Sequence, residues 1–204
     1  MSALQGQLQF IIQADKMKNV MRQTLLLDKS REESDAEHSW HLALAALTLY
    51  EHVGIPGVDI ARVVKMAVLH DLVEIYAGDT PAFDTVGNED KLQRELDAAD
   101  KLFSTLPPEQ AEEYKAMWLE FDAMQTPDAI YAAAVDCFLP FLSNTLTNGH
   151  SWVKFNVKAS QVYKRIAPVK TAIPALWDMV VQNINDAIQA GYIINDGGED
   201  TCQI

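Results

Sequence analysis

The apolar positions of this chain recur at helical spacing almost throughout. Leu4, Leu8, Ile11, Ile12 and Met17 mark one face and predict a first helix over about 3–18. The segment Lys18-Asn19-Val20-Met21-Arg22-Gln23-Thr24 and a polar loop over 28–33 follow. Ser34 or Asp35 then suits the cap of a second helix. That helix carries His38, Leu42, Ala45, Ala46 and Leu49 to about Val53, where Gly54-Ile55-Pro56-Gly57 breaks it. A third helix is predicted over 58–75, then a loop over 80–87 punctuated by Pro81 and Gly87.

Leu92, Leu96, Ala99, Leu102 and Phe103 share one face of a helix over 88–106, and Pro107-Pro108 restarts the chain into a helix over 109–124. Thr126 as cap and Pro127 at the first helical position open the next helix. Its apolar positions are Ile130, Ala134, Val135, Phe138, Leu139 and Leu142, and Pro140 within it predicts a kink. Asn148-Gly149 ends it. Further helices are predicted over 159–166 and 173–190, with Gly191 as C-cap. No alternation lasts long enough to predict a strand. The pattern describes one all-α domain of roughly eight helices over 1–195, with a disordered tail over 196–204.

Composition adds limits. At 204 residues and 49% hydrophobic, the chain can bury a real core. No uninterrupted apolar run reaches the roughly 18 residues of a membrane span. Met1 to Phe10 lacks the basic-then-apolar pattern of a secretory signal, so a cytoplasmic location is expected. Cys137 and Cys202 are too few for a disulfide framework, and Cys137 reads as a small core residue. The net charge of −13 argues against nucleic acid polymers. It leaves room for a small phosphorylated substrate, because a bound cation and a few basic groups can hold one phosphate in an acidic protein.

The candidate chemistry centres on His70-Asp71-Leu72-Val73-Glu74-Ile75-Tyr76-Ala77-Gly78-Asp79. Adjacent imidazole and carboxylate suit a borderline divalent metal. Glu74 lies three and four residues past the pair, on the same helical face. A capping histidine with solvated acids beyond it explains the same letters. His38 and His41 could share a face, a weak metal signal equally compatible with surface or capping roles. His52 and His150 read as helix-end and loop residues. Asp136 stands out, being flanked by Ala132, Ala133, Ala134, Val135, Cys137 and Phe138. A carboxylate buried there needs a metal, an ion pair or hydrogen bonds.

Glu37-His38, His70-Asp71 and Asp136, on three separate predicted helices, resemble the HD-domain phosphohydrolase superfamily. The closer resemblance is to its 5′-deoxynucleotidase / HD-domain-containing protein 2 branch, through Ala36-Glu37-His38-Ser39-Trp40, His70 to Pro81 and Lys18-Asn19-Val20-Met21-Arg22, over about residues 5–166. The resemblance implies His38, His70, Asp71 and Asp136 as ligands of one divalent metal (Mn, Co, Mg, Zn, Fe or Ni). It implies Glu74 and Asp79 as acid/base and substrate-orienting carboxylates, and Arg22 and Glu37 as substrate-binding. The implied activity is phosphate removal from small nucleotides, deoxynucleoside 5′-monophosphates first, by a homodimer. Alternatives are another HD hydrolase, acting for example on guanosine tetraphosphate, and a non-catalytic metal- or nucleotide-binding regulator. Gln23-Thr24 after Arg22 departs from the branch, which usually places an aromatic residue or Gly there.

Overall fold

The computed structural model describes residues 2–84 and 86–198. Helix α1, Ala3–Ala14, begins at a capping box between Ser2 and Gln5 and tightens into a 3-10 turn over Asp15–Asn19. Two short antiparallel strands follow, β1 (Met21–Leu25) and β2 (Glu32–Ser34), with Met21 opposite Ser34 and Leu25 opposite Glu32. This hairpin corrects the expectation of no strand. Its residues are too few and too polar to alternate visibly, and it stands because it packs: Ser143 Oγ donates to the Leu25 carbonyl at 2.8 Å.

The remaining elements are helical: α2 (Asp35–Leu49), α3 (Ile60–Leu69), α4 (Glu74–Ala77), α5 (Lys91–Phe103), α6 (Pro108–Ala123), α7 (Pro127–Leu146), α8 (His150–Lys154), α9 (Ala159–Ala172) and α10 (Trp177–Gln189). All-α is therefore the fold class, with the hairpin as a small addition. α7 is the axis, with α2, α3, α6 and α9 packed around it. It is long and apolar enough to span a membrane by composition, but most of it lies in the core: Ala129 and the whole run from Tyr131 to Leu139 are buried. A helix apolar on every side needs such a setting. Pro140 sits inside it without ending it.

Polar groups that reach the core are held there. Asp128 accepts from the Asp59 amide at 2.7 Å and from Arg62 Nε at 2.9 Å, and Arg62 also reaches Glu120 at 2.6 Å. Asn144 Oδ1 accepts from the amides of Ser151 and Trp152, anchoring α8 to α7. Of the tail expected over 196–204, residues 196–198 are described. Ile194 bridges to Lys158, and Asp196 accepts from Ser160 at the start of α9, because its carboxylate meets open helix-start donors. The rest of that expectation, 199–204, lies outside the described residues.

The predicted third helix divides. α3 ends at Leu69 with His70 as its C-cap, and the chain winds on by three-residue bonds before α4. The Leu72 amide donates to Leu69 and the Glu74 amide to Asp71, at 3.2 and 2.9 Å. Three residues per turn eclipse positions i and i+3. Asp71 and Glu74 therefore lie more nearly over one another than the i and i+3 positions of a regular α-helix, with their carboxylates in one cluster. Gly78, at φ +76°, then turns the chain so that Asp79 follows on the same side.

Candidate active site

His38 comes from the first full turn of α2, which is set by Ser34. The Glu37 amide donates to Ser34 Oγ at 3.3 Å, and the Glu37 carboxylate accepts from the Ser34 amide at 3.0 Å. His38 is thereby turned fully inward. His70 and Asp71 come from the end of α3, and Asp136 from the middle of α7. Although 98 residues separate them, His38 Nε2 lies 3.0 Å from Asp136 Oδ1. His70 Nε2 lies 3.7 Å from the same oxygen and 2.9 Å from Asp71 Oδ2.

The fit to a cation rests on the atoms that lack partners. His70 Nδ1 is 3.0 Å from the Ala67 carbonyl, so it carries the proton and leaves Nε2 with a lone pair. That Nε2 is buried, and Asp71 beside it is not aligned to hydrogen-bond with it. Donor atoms of His38, His70 and Asp71 lie within 4.8 Å of one another. Two imidazoles and two carboxylates converging on one buried point fit a divalent metal of the borderline kind.

Electrostatics points the same way. Burial alone would lower the His70 pKa, but Asp71 and Asp136 raise it to about 10. Burial opposes the ionised forms of Asp71 and Asp136, yet His70 and Arg22 hold the first below the usual carboxylate range, and His38, His70 and Arg165 hold the second well below it. This concentration of negative charge around two imidazoles draws a positive charge to the cluster, a proton or a cation.

Arg22, on β1, is half-buried, and its Nη1 donates to Asp71 Oδ2 at 2.7 Å and Asp35 Oδ1 at 3.2 Å. Burial works against its charge, but Asp71, Asp79, Asp136 and Asp35 together keep it firmly protonated. Glu74 is pushed up to about 12 by burial and by Asp71, Asp35 and Asp79, so its carboxyl holds a proton. Asp79 is also raised, chiefly by burial. A cavity of about 340 Å³ opens over the cluster. Its lining includes the charged or polar Arg22, His70, Asp71, Glu74, Asp79 and Asp136 and the aromatic Phe141, Trp152 and Phe155.

Glu37 is the expected site residue that the structure takes elsewhere. Its carboxylate completes the α2 cap and pairs with Arg31 at 2.5 and 2.8 Å. An acid at the third position of a helix serves its cap first. His41 stacks beside Trp40 and does not line the cavity.

Three residues were not legible as site residues. Asp35, which reads as a cap candidate, is fully buried behind Arg22. Arg165 on α9 donates to Asp136 Oδ2 at 3.1 Å. Lys91, at the start of α5, lines the cavity beside Glu95. Each is an ordinary helix charge in sequence, and only long-range packing distinguishes it.

Comparison with known proteins agrees with this geometry. An HD-domain family model matches residues 14–177. A 5′-deoxynucleotidase of Schizosaccharomyces pombe is 30% identical over 112 residues, 53% of this chain and 54% of that protein. A human 5′-deoxynucleotidase is 25% identical over 130 residues, 63% of this chain and 62% of that one. The chain thus spans a little over half of the length of these curated relatives. A crystal structure of a predicted metal-dependent phosphohydrolase from Magnetospirillum magnetotacticum superposes with a TM-score of 0.88 at 42% identity, covering 94% of this chain and 96% of that one. The match over most of the chain, on a fold that brings His38, His70, Asp71 and Asp136 to one buried point, makes this chain a member of the HD-domain family.

Proposed function

We propose that this protein is a metal-dependent phosphomonoesterase of small nucleotides, with deoxynucleoside 5′-monophosphates as the leading substrates. The observation that carries this reading is the unpartnered, buried His70 Nε2 among His38, Asp71 and Asp136, beside a half-buried arginine at an open cavity. The names of the relatives support the nucleotide. His38, His70, Asp71 and Asp136 hold the metal. When bound, a divalent ion supplies Lewis acidity towards a phosphate oxygen and lowers the pKa of a water.

Arg22 presents a planar donor to the phosphate. Glu74 holds a proton on its buried carboxyl and exchanges it with the reacting oxygen, acting as the acid/base group. Asp79 orients the sugar side of the substrate, and Phe141, Trp152 and Phe155 offer an apolar wall to the base. The expected homodimer and cytoplasmic location stay part of this reading. The exposed face of α1, with Leu4, Leu8 and Ile11 and no charged residue in the helix, supports the dimer.

The test is a panel of ribo- and deoxynucleoside 5′-monophosphates, each with Mn, Co, Mg or Zn. Phosphate release with at least one metal, abolished by chelator, is expected. Folded, metal-loaded protein that releases phosphate from none of them would refute the reading.

A further inference from the structure

We propose that Asp35 is a positioning residue that sets the aim of Arg22, a deepening of the phosphomonoesterase reading that rests on it. Asp35 does not line the cavity; Arg22 does. Asp35 therefore acts through the arginine rather than on substrate.

One nitrogen, Arg22 Nη1, serves both Asp71 and Asp35. Two carboxylates pulling on a single nitrogen fix the direction of the guanidinium and leave Nη2 out of both bonds. With Asp71 alone, the favoured arrangement is a two-toothed fork that occupies both of its oxygens. Such a fork would commit a second guanidinium nitrogen to Asp71 and take it from a substrate phosphate. Asp71 Oδ2, the oxygen beside His70, already meets Arg22 Nη1, and the fork would take up Oδ1 as well. Asp35 prevents this collapse by competing for the same donor.

Its own placement is fixed twice. The Asp35 amide donates to the Val20 carbonyl at 3.0 Å, two residues before Arg22 in the chain. Asp35 also stands three residues before His38, on the same face of α2. Rotation of α2 thus moves the metal-facing imidazole and the arginine's anchor together. The burial of Asp35 is costly. Its Oδ2 makes no aligned hydrogen bond, and the carboxyls of Asp71 and Glu74 both lie close by. A carboxylate kept in such a place without full pairing fits a residue retained for orientation better than one retained for stability.

The test is Asp35→Asn, which keeps the shape and removes the charge, with folding checked by circular dichroism. Inorganic phosphate binding to Mn-loaded protein is read by calorimetry, alongside kcat and KM for each active phosphomonoester. We expect phosphate Kd and all KM values to rise about ten- to a hundredfold, the range for a lost hydrogen bond to a charged group. We expect kcat to change less, substrate ranking to hold and Mn affinity to stay within about threefold. In an Arg22→Ala background, Asp35→Asn should add little. Unchanged phosphate affinity, loss of Mn, or an equal further loss without Arg22 would each overturn the proposal. The calorimetric arm separates the two readings: a protein that binds phosphate through Arg22 and Asp35 yet hydrolyses nothing refutes the enzyme reading alone.

Discussion

Glu74 shows how much one residue's role depends on its surroundings. In sequence it is an acid one turn past a His-Asp pair. In the structure it is buried, eclipsed with Asp71, and protonated because burial and three other carboxylates disfavour a further charge. Glu74→Gln keeps the volume and removes the exchangeable proton. It should retain metal, by elemental analysis, while kcat falls about 10²- to 10⁴-fold, the usual range for an acid/base group. Loss of metal instead would make Glu74 a ligand. His70 gives a second expectation. Its raised pKa, about 10, means that at neutral pH a proton competes with the cation for Nε2. Metal affinity should therefore weaken on going from pH 8 to pH 6, and uptake should release protons, both readable by titration calorimetry in buffers of different ionisation enthalpy. Affinity independent of pH would place the metal elsewhere.

At the scale of elements, the cap of α2 is the device that aims His38. Ser34→Ala removes the acceptor for the Glu37 amide and should cost about 0.5–2 kcal/mol in urea unfolding. Glu37 adds a pH dependence of known sign. Arg31 and the Ser34 amide lower its pKa to about 2, so its contribution is complete above the ordinary carboxylate range and is lost as pH falls through about 2. Glu37→Gln should flatten that acid limb, and an unchanged limb would mean that the Arg31 pair contributes nothing. The division between α3 and α4 matters as much. A continuous helix would place Glu74 a full α-turn from His70. The tighter winding instead sets Glu74 over Asp71 and, through Gly78, swings Asp79 to the cavity.

For the whole molecule, three helices from distant parts of the chain converge on one point, so the cation site exists only in the folded state. A metal that binds the native state alone should stabilise it by about 2.7 kcal/mol at a hundredfold excess over Kd. Chelation should lower Tm accordingly, and His38→Ala should abolish the metal-dependent part. A Tm insensitive to metal in the wild type would contradict the site. The sequence alone determined the helical class and most helix boundaries, because 3.6-residue periodicity and caps are local signals; the candidate ligands came from the resemblance to a family rather than from local spacing. Asp136 was legible as well, since one acid in an alanine-rich core run demands a partner wherever the fold puts it. Tertiary structure alone decided the rest. Arg22 lies on a strand of a hairpin too short to show a period. Glu37 turned to its own helix cap. Asp35 and Arg165 look like any solvated helix charge until packing encloses the first behind Arg22 and brings the second to Asp136. The physical reason is that burial and charge pairing are set by contacts between residues far apart in the chain, which no local spacing encodes.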